Sequence, residues 1–197
     1  MVADDGSGIE VTSDTAVVLV KDGARAGYEA QYTAYADALR LLGLFQGSDK
    51  GYELERCPSR VEALVMLIRL LGEETAALAG DAVTPFKDLN IWEQGKNYVA
   101  YGYRMRYTNG MSATTFGPTA ICNRAQAVTF LWRYLNEPAA TTENSFSDVV
   151  DGAWYEAAVN WAVANKVTNG MDNDTFGIEV NCNRAHMVTF LFRAFHI

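Results

Sequence analysis

Apolar side chains recur every three to four residues in two stretches of the chain that each begin with an arginine. The two stretches share one register, and their apolar positions are Leu64, Leu67, Ile68 and Leu71 after Arg60 and Val128, Leu131, Trp132 and Leu135 after Arg124. This spacing is typical of a helix that buries one face. Because two short helices cannot shelter such a face alone, we predict a mostly helical fold in which helices from several parts of the chain pack together.

The sequence contains an internal repeat with a period of 60 residues. Residues 86–133 align with residues 146–193 without a gap, and 19 of the 48 aligned positions are identical. The longest similar stretches are "CNRAQAVTFLWR", which starts at Cys122, and "CNRAHMVTFLFR", which starts at Cys182. Each copy has the pattern of a helix, a turn containing "TNGM" and "TFG", and a second helix that an arginine begins.

A third and more diverged copy precedes these two. "YADALRLLGLFQG" and "CPSRVEALVMLIRLLG" follow the same order, and arginines stand nine residues apart in the second helix of every copy. We therefore predict an all-α fold class, a pseudo-threefold bundle of three helix-turn-helix repeats. The β-branched residues of "IEVTSDTAVVLV" add a short strand to the N-terminal part. The predicted units are an N-terminal extension, residues 1–30, and repeats at residues 31–80, 84–138 and 144–197. The spacers "EETAALAGDAVTP" and "NEPAATTEN" are interpreted as linkers.

Composition narrows the classes of function. The 16 basic and 24 acidic side chains give a formal net charge of −8, which argues against a nucleic-acid partner because such a surface needs clustered Lys and Arg. No run of about 18 apolar residues is present, so we expect no membrane insertion. "MVADDGSG" lacks the features of a signal peptide, which leaves a cytoplasmic chain or an exported segment whose signal has been removed. No nucleophile stands beside either histidine and no phosphate-binding glycine loop is present, so we expect neither an enzyme nor a cofactor.

Metal sites find little support in the sequence. Cys57, Cys122 and Cys182 form no CxxC pair, and no histidine stands at ligand spacing from them, so we interpret all three as buried apolar residues. "DNDTFG", which starts at Asp172, is similar to the start of a calcium loop, but its twelfth position is Asn183 rather than Glu. We predict no metal.

Each second helix begins with a capping residue followed by an arginine. The capping positions are Ser59, Asn123 and Asn183, and the residues three positions later are Glu62, Gln126 and His186. The Ser–Glu pair has the pattern of a capping box, the Asn–Gln pair is close to it, and the Asn–His pair departs from it. The first helical positions are Arg60, Arg124 and Arg184. A cation there opposes the helix dipole by about 0.3–1 kcal/mol, so three in one register predict a compensating partner.

Two kinds of partner remain open at this point. Asp88 and Asp148, which open the second and third copies in "FKD" and "FSD", could form ion pairs with neighbouring arginines. The other partner is an external anion, because exposed N–H groups at a helix start and a forked guanidinium together form a site for carboxylate or phosphate. The two arrangements are compatible with each other.

The whole pattern resembles the S-layer homology repeat. "FSDVVDGAWYEAAVNWAVANKVTNGMDNDTFG" followed by "CNRAHMVTFLFR" has its FxD start, central aromatic residue, glycine turn and arginine-led helix, and the two earlier copies follow in order over residues 31–197. The resemblance implies a pseudo-threefold bundle and a secreted protein of the bacterial cell wall or S-layer. It also implies non-covalent binding of a secondary cell wall polysaccharide, often one that bears pyruvate ketals.

The resemblance also assigns residues to the binding of that glycan. The family's polymer-binding arginine falls on Arg60, Arg124 and Arg184, and its FxD aspartate falls on Asp88 and Asp148. The further candidate residues for glycan binding are Trp92, Trp154, Asn123 and Asn183. Several positions depart from the family pattern. Asn stands in place of the usual Thr before the second and third arginines, and the first copy has no FxD. Gln94 stands where the third copy has Trp154, with Trp92 two residues earlier.

A rival interpretation assigns the same scaffold to protein recognition. The segment "NIWEQGKNYVAYGYRMRY" places Tyr98, Tyr101 and Tyr103 close together, and tyrosine-rich surfaces are common in recognition sites. Gly102 within this predicted helix lowers its stability by up to about 1 kcal/mol relative to Ala, which favours a functional reason for the segment. A third interpretation is a purely structural remnant whose arginines form internal ion pairs.

Overall fold

The computed structural model describes residues 30–81, 83–143 and 145–195, and these residues form a helical bundle. Their helices are α1 (Ala30–Leu41), α2 (Arg60–Leu70), α3 (Glu74–Ala79), α4 (Glu93–Arg104), α5 (Arg124–Tyr134), α6 (Glu156–Ala164) and α7 (Arg184–Ala194). Extended backbone within these residues is limited to isolated β-bridges. The predicted mostly helical fold is therefore confirmed. The strand predicted at residues 9–20 lies outside the described residues.

The three arginine-led helices α2, α5 and α7 form the centre of the bundle. Residues three and seven positions after each leading arginine line one shared space, and they are Ala63, Leu67, Ala127, Leu131, Met187 and Leu191. That space measures only about 10 Å³, which is no more than one water molecule requires. Leu67 and Leu131 of the apolar register read from the sequence thus line the centre of the bundle, which equivalent positions of three helices form.

Each outer helix packs against a central helix from a different part of the chain. Helix α4 lies against α2, α6 lies against α5, and α1 lies against α7. In the last of these pairs, Tyr35 stacks on Phe192 with ring centroids 4.3 Å apart. The order is cyclic, because the first outer helix packs on the last central helix and so closes the ring.

Gly102 is explained by this packing. It lies on α4 where that helix crosses α2, and a Cβ added there would stand 2.9 Å from Cδ2 of the fully buried Leu64. Such a contact is too short for a real Cβ, so the glycine allows the two helices to approach closely. A functional reason for Gly102 is not needed.

The helix starts follow the sequence pattern. Capping boxes form at Ser59 with Glu62 and at Asn123 with Gln126, whereas Asn183 caps α7 without the reciprocal side-chain bond. The first spacer, interpreted as a linker, instead contains the short helix α3, which packs against α4. None of the helices in residues 30–81, 83–143 and 145–195 combines the length and apolar character needed to cross a membrane.

The cysteines lie near the start of the central helices. Cys122 and Cys182 are fully buried, as expected, and burial raises the pKa of both thiols. The backbone N–H of Cys122 donates to Pro58 O at 3.0 Å, and that of Cys182 donates to Cys122 O at 2.8 Å, so short extended segments meet around the axis. Cys57 is partly exposed, which corrects the expectation that all three cysteines are buried.

Candidate ligand-binding grooves

The three leading arginines are buried between neighbouring parts of the bundle. Arg60, Arg124 and Arg184 are 3%, 2% and 7% exposed. Each Nε donates to a backbone carbonyl of another segment, and the acceptors are Phe116 O at 2.9 Å, Phe176 O at 3.1 Å and Tyr52 O at 2.8 Å respectively. These bonds follow the same cyclic order as the helices, so the arginines connect the segments to one another.

Aromatic rings flank the same guanidinium groups. Cζ of Arg60 lies 5.0 Å from the ring centroid of Phe116 and 5.3 Å from that of Phe130, and Arg124 is flanked equivalently at 5.1 and 5.2 Å. Arg184 lies 4.8 Å from the ring of Phe45. Burial lowers the pKa of all three arginines from the ordinary value, and the ring faces offset part of this effect because they attract a cation.

The start of each central helix is closed by backbone carbonyls. The N–H groups of Arg60, Arg124 and Arg184 donate to Ala120 O, Val180 O and Arg56 O at 2.8, 2.9 and 2.9 Å. The prediction that exposed N–H groups at these positions receive an external anion is therefore wrong. Neutral carbonyl oxygens of the neighbouring segment already compensate the positive end of each helix dipole.

The two FxD aspartates bind backbone amides rather than arginines. Asp88 accepts from the N–H groups of Phe116 and Gly117 at 2.9 and 2.7 Å. Asp148 accepts from those of Phe176, Gly177 and Ile178 at 2.8, 2.7 and 3.1 Å.

These amide contacts affect the pKa of Asp148 and bear on the ion-pair interpretation of both aspartates. Burial would raise the pKa of Asp148, but the backbone hydrogen bonds outweigh it and lower that pKa. Among the described residues neither aspartate lies within 4.0 Å of a basic group, so the predicted ion pairs with the leading arginines do not form.

One surface groove combines Arg60 with an exposed tryptophan. We call it the Trp154 groove; it measures about 440 Å³ and contains Arg60, Asn109 to Ser112, Gln126, Thr129, Phe130, Arg133 and Trp154. Trp154 is 55% exposed. Nε of Arg133 is buried and has no hydrogen-bond partner in the described part of the chain, and its nearest carboxylate, that of Glu137, lies 3.9 Å away. A cationic group without a hydrogen-bonded carboxylate thus stands beside an exposed indole ring.

A second groove of about 480 Å³ is built in the same way around Arg184. We call it the Trp92 groove, and its lining includes Arg184, Gln46, Glu62, Met66, Arg69, Glu74, Trp92 and Tyr98. Trp92 is 48% exposed and takes the role in this groove that Trp154 takes in the other. Glu62, Met66 and Arg69 occupy the same register after Arg60 that Gln126, Phe130 and Arg133 occupy after Arg124.

The structure thus brings together some of the predicted glycan-binding residues and separates others. Arg60 meets Trp154, and Arg184 meets Trp92, each across a boundary between segments. Neither of these two grooves contains Asp88, Asp148, Arg124, Asn123 or Asn183. The asparagines cap helices, and Nδ2 of Asn123 donates to Glu179 at 3.3 Å. The sequence analysis missed Arg69 and Arg133 as groove residues, although their nine-residue spacing from the leading arginines was the available signal.

The tyrosine-rich segment does not form an exposed surface. Tyr98 is 2% exposed and Tyr101 is 7% exposed, because both face the core side of α4. Tyr103, at 38%, lies at the surface and packs edge-on against Phe86 with centroids 5.3 Å apart. The predicted protein contact through all three tyrosines is therefore wrong for Tyr98 and Tyr101.

Metal chemistry has no visible basis in residues 30–81, 83–143 and 145–195. No group of three or more His, Cys, Asp or Glu side chains there is arranged to hold an ion. The carboxylate of Asp172 accepts hydrogen bonds from the N–H groups of Asp174 and Thr175 at 2.8 and 2.7 Å, so it shapes its own turn.

Comparison with known proteins gives short matches to much longer relatives. The chain is 30% identical over 118 residues to a "Cell surface protein" of Thermoanaerobacter kivui, a match that covers 57% of this chain and 16% of the relative. It is 30% identical over 111 residues to an "Endoglucanase" of Bacillus sp. (strain KSM-635), covering 56% and 12% respectively. It is 23% identical over 141 residues to a "Cellulosome-anchoring protein" of Acetivibrio thermocellus, covering 69% and 31%. The matched stretch is thus less than a third of each of these three relatives.

A family model matches the two copies that the sequence shows most clearly. The model of the S-layer homology domain matches residues 85–128 and residues 145–188. Each match begins just before the FxD aspartate and ends inside the arginine-led helix, so it contains the outer helix and the loop that closes over the neighbouring arginine. These two segments of the chain are therefore similar to the S-layer homology domain.

Proposed function

We propose that this chain anchors a protein non-covalently to the bacterial cell wall by binding an anionic secondary cell wall polysaccharide in the grooves between its repeats. The two matches to the S-layer homology domain and the surface and anchoring relatives point to a cell-surface, cell-wall-associated protein. The match to the endoglucanase covers only 12% of that protein, so it is not an argument for catalysis by this chain. Anchoring without catalysis therefore agrees with the relatives.

Residues 31–80 act as a third repeat in this proposal. Their central helix α2 has the same capping box, leading arginine and core register as α5. Their loop also supplies the carbonyl of Tyr52 that receives Arg184, as the loops of the other two segments do for Arg60 and Arg124. A bundle that closes cyclically needs this third unit, because without it Arg184 and α7 lose their contacts.

The observation that carries the proposal is the composition of the Trp154 groove. It holds two guanidinium groups, of Arg60 and Arg133, and no carboxylate, although the chain as a whole carries a net charge of −8. A forked guanidinium beside a flat ring suits a sugar that carries a carboxylate, because the fork binds the acid and the ring covers the apolar face of the sugar. The pyruvate ketal of a wall polysaccharide has this chemistry.

The anchoring function is tested with isolated cell walls before and after extraction of their secondary polysaccharide. We expect the wild-type chain to sediment with intact walls and to remain in solution with extracted walls. Trp154→Ala should reduce sedimentation at least tenfold at equal protein concentration, whereas Val83→Ala, which also truncates an exposed apolar side chain, should leave it unchanged. Equal binding to intact and extracted walls would show that the polysaccharide is not the ligand.

A further inference from the structure

The two grooves share an architecture but differ in charge. The Trp154 groove contains Arg60 and Arg133 and no acidic residue, whereas the Trp92 groove contains two arginines together with two glutamates, Glu62 and Glu74. Each groove also has a charged neighbour outside its lining, Glu137 at 3.9 Å from Arg133 and Arg56 at 2.8 Å from Glu62, so the difference concerns the charges that line the groove itself. This difference lies in the chain itself and is independent of any bound molecule.

Glu74 holds the arginine that corresponds to Arg133. Nε of Arg69 donates to Oε1 of Glu74 at 2.9 Å, and the hydroxyl of Tyr98 donates a short hydrogen bond to the same oxygen. Tyr98 is buried and its ring lies 5.8 Å from Cζ of Arg69, so the three side chains form one cluster. In the Trp154 groove, Nε of Arg133 makes no hydrogen bond within the described residues.

The sequence explains why only one groove has this cluster. Counted from the leading arginines, Glu74 corresponds to Pro138, and counted along the 60-residue repeat, Tyr98 corresponds to Ala158. The Trp154 groove thus lacks both the carboxylate and the hydroxyl at these registers. Glu74 also opens helix α3, and residues 136–143, which follow α5 at the corresponding place, contain no helix.

The leading arginines show the same asymmetry. In the Trp92 groove Arg184 donates to Tyr52 O through Nε and to Gln46 O through a terminal nitrogen at 3.0 Å. In the Trp154 groove Arg60 donates to Phe116 O through Nε, and its terminal nitrogens make no hydrogen bond within the described residues. The terminal nitrogens of Arg60 therefore remain available to a ligand, whereas one terminal nitrogen of Arg184 is already bonded.

We infer that Glu74 is a specificity-determining residue: its carboxylate occupies, in the Trp92 groove, the place that a ligand carboxylate takes in the Trp154 groove. The inference rests on the proposed function, since it assumes that the ligand is a carboxylate-bearing sugar. Hydrogen bonding by Tyr98 in the first place, and by Arg69, lowers the pKa of Glu74, so it is ionised at neutral pH. An anionic sugar in the Trp92 groove must displace the hydrogen bond between Glu74 and Arg69, whereas in the Trp154 groove the carboxylate of Glu137 lies 3.9 Å from Nε of Arg133 and is not hydrogen-bonded to it.

The two grooves can be observed separately through their indole N–H signals. The probe is a hexose that carries a cyclic pyruvate ketal, with the same hexose without the ketal as the control sugar. Proton–nitrogen spectra of the full chain, assigned with Trp92→Phe and Trp154→Phe variants, report the occupancy of each groove during a titration. We expect the Trp154 indole signal to move with the ketal sugar and the Trp92 signal to move only at concentrations at least tenfold higher.

Variants of the cluster should reverse this difference. Glu74→Gln, which keeps the shape of a half-exposed side chain, should bring the Trp92 signal within about threefold of the Trp154 signal. Tyr98→Phe, which removes only the hydroxyl, is the second variant and should produce a smaller change in the same direction. Glu93→Gln removes an acidic side chain that pairs with Lys96 outside both linings, so it is the matched control and should change neither signal.

The outcomes separate the two proposals. If both indole signals of the wild-type chain move at the same concentration of ketal sugar, or if Glu74→Gln leaves the Trp92 signal unchanged, the role of Glu74 is wrong while carboxylate binding stands. If no indole signal moves in the wild type or in Glu74→Gln at concentrations that saturate intact walls, the proposed recognition of a carboxylate-bearing sugar is itself wrong.

Discussion

Arg60 and Asp88 hold the same residue, Phe116, from its two backbone ends and do not pair with each other. Asp88 accepts the N–H of Phe116 at 2.9 Å, and Arg60 donates to its carbonyl oxygen at 2.9 Å. The arrangement recurs one repeat later, where Asp148 and Arg124 hold Phe176. The leading arginine of one copy and the FxD aspartate of the next therefore fix the same loop.

Loss of the aspartate charge should weaken the bundle. Asp148→Asn leaves three backbone N–H groups facing a neutral amide that can accept fewer bonds, so we expect a decrease of about 1–3 kcal/mol in the free energy of unfolding at pH 7. Urea unfolding monitored by circular dichroism measures this change. Asp151→Asn, at an exposed position of the same loop, is the control and should change the value by less than about 0.5 kcal/mol.

The same aspartate predicts a pH dependence. The pKa of Asp148 is lowered in the folded protein, so the stabilisation is fully present above the pKa of the unfolded chain, about 3.9, and is lost as the pH falls through the lower folded value. The difference between wild type and Asp148→Asn should therefore shrink between pH 4 and pH 2. A difference that stays constant over this range would contradict the assignment.

A buried arginine should not be replaceable by lysine. Nε of Arg124 donates to Phe176 O and a terminal nitrogen donates to the Thr168 hydroxyl at 3.2 Å, and a lysine cannot reach both acceptors from a single ammonium group. We expect Arg124→Lys to lower the free energy of unfolding by about 2–4 kcal/mol. Arg106→Lys, at an exposed position, should be neutral. Equal stabilities for the two variants would mean that simultaneous donation by the Arg124 guanidinium to two acceptors does not contribute to stability.

His186 should make the protein acid-sensitive. The imidazole ring stacks on Phe190, and its Nδ1 is buried without a hydrogen-bond partner in the described residues. Burial is the larger cause and the charge of Arg124 the smaller cause that lower the pKa of His186 to about 4. Because the unfolded chain binds a proton near pH 6.5 and the folded protein does not, stability should fall as the pH drops from 7 to about 4. His186→Gln, the residue found at the matching position 126, should remove about 1–2 kcal/mol of that fall after allowance for partial exposure. Urea midpoints at pH 7 and pH 4.5 for both proteins test this.

A methyl group at position 102 should destabilise the protein although it favours a helix. Helix propensity alone predicts that Gly102→Ala adds up to about 1 kcal/mol, but the new Cβ would stand 2.9 Å from Cδ2 of Leu64. We expect a net loss of about 1–3 kcal/mol, because Leu64 is fully buried and cannot move without disturbing the core. Combining it with Leu64→Val should recover part of the loss. Simple addition of the two single effects would contradict the proposed clash.

The sequence correctly predicted those structural features that depend on residues nearby in the chain. The capping residues, the apolar register of α2 and α5, and the mostly helical fold depend on neighbours within one or two turns, and all were predicted correctly.

The sequence did not predict those features that depend on contacts with a distant segment of the chain. The leading arginines were expected at open helix ends because nothing near them in the chain shows that the carbonyls of residues 52, 116 and 176 arrive from other loops. Gly102 and Tyr98 were given functional interpretations for the same reason, since Leu64 and Glu74, which explain them, lie more than 20 residues away. The register of Arg133 was visible, but its lack of a hydrogen-bonded carboxylate depends on Pro138, which stands where Glu74 stands in the other groove.

The most direct test of the account is the affinity of the chain for purified wall polysaccharide when the guanidinium of Arg133 in the Trp154 groove is removed. Isothermal titration should give an affinity at least tenfold weaker for Arg133→Gln than for wild type, a loss of about 1.4 kcal/mol or more, while the exposed control Arg106→Gln stays within twofold. Polysaccharide stripped of its pyruvate ketals should bind the wild-type chain as weakly as the intact polymer binds Arg133→Gln. If Arg133→Gln binds the intact polymer as tightly as wild type, the Trp154 groove is not the binding site.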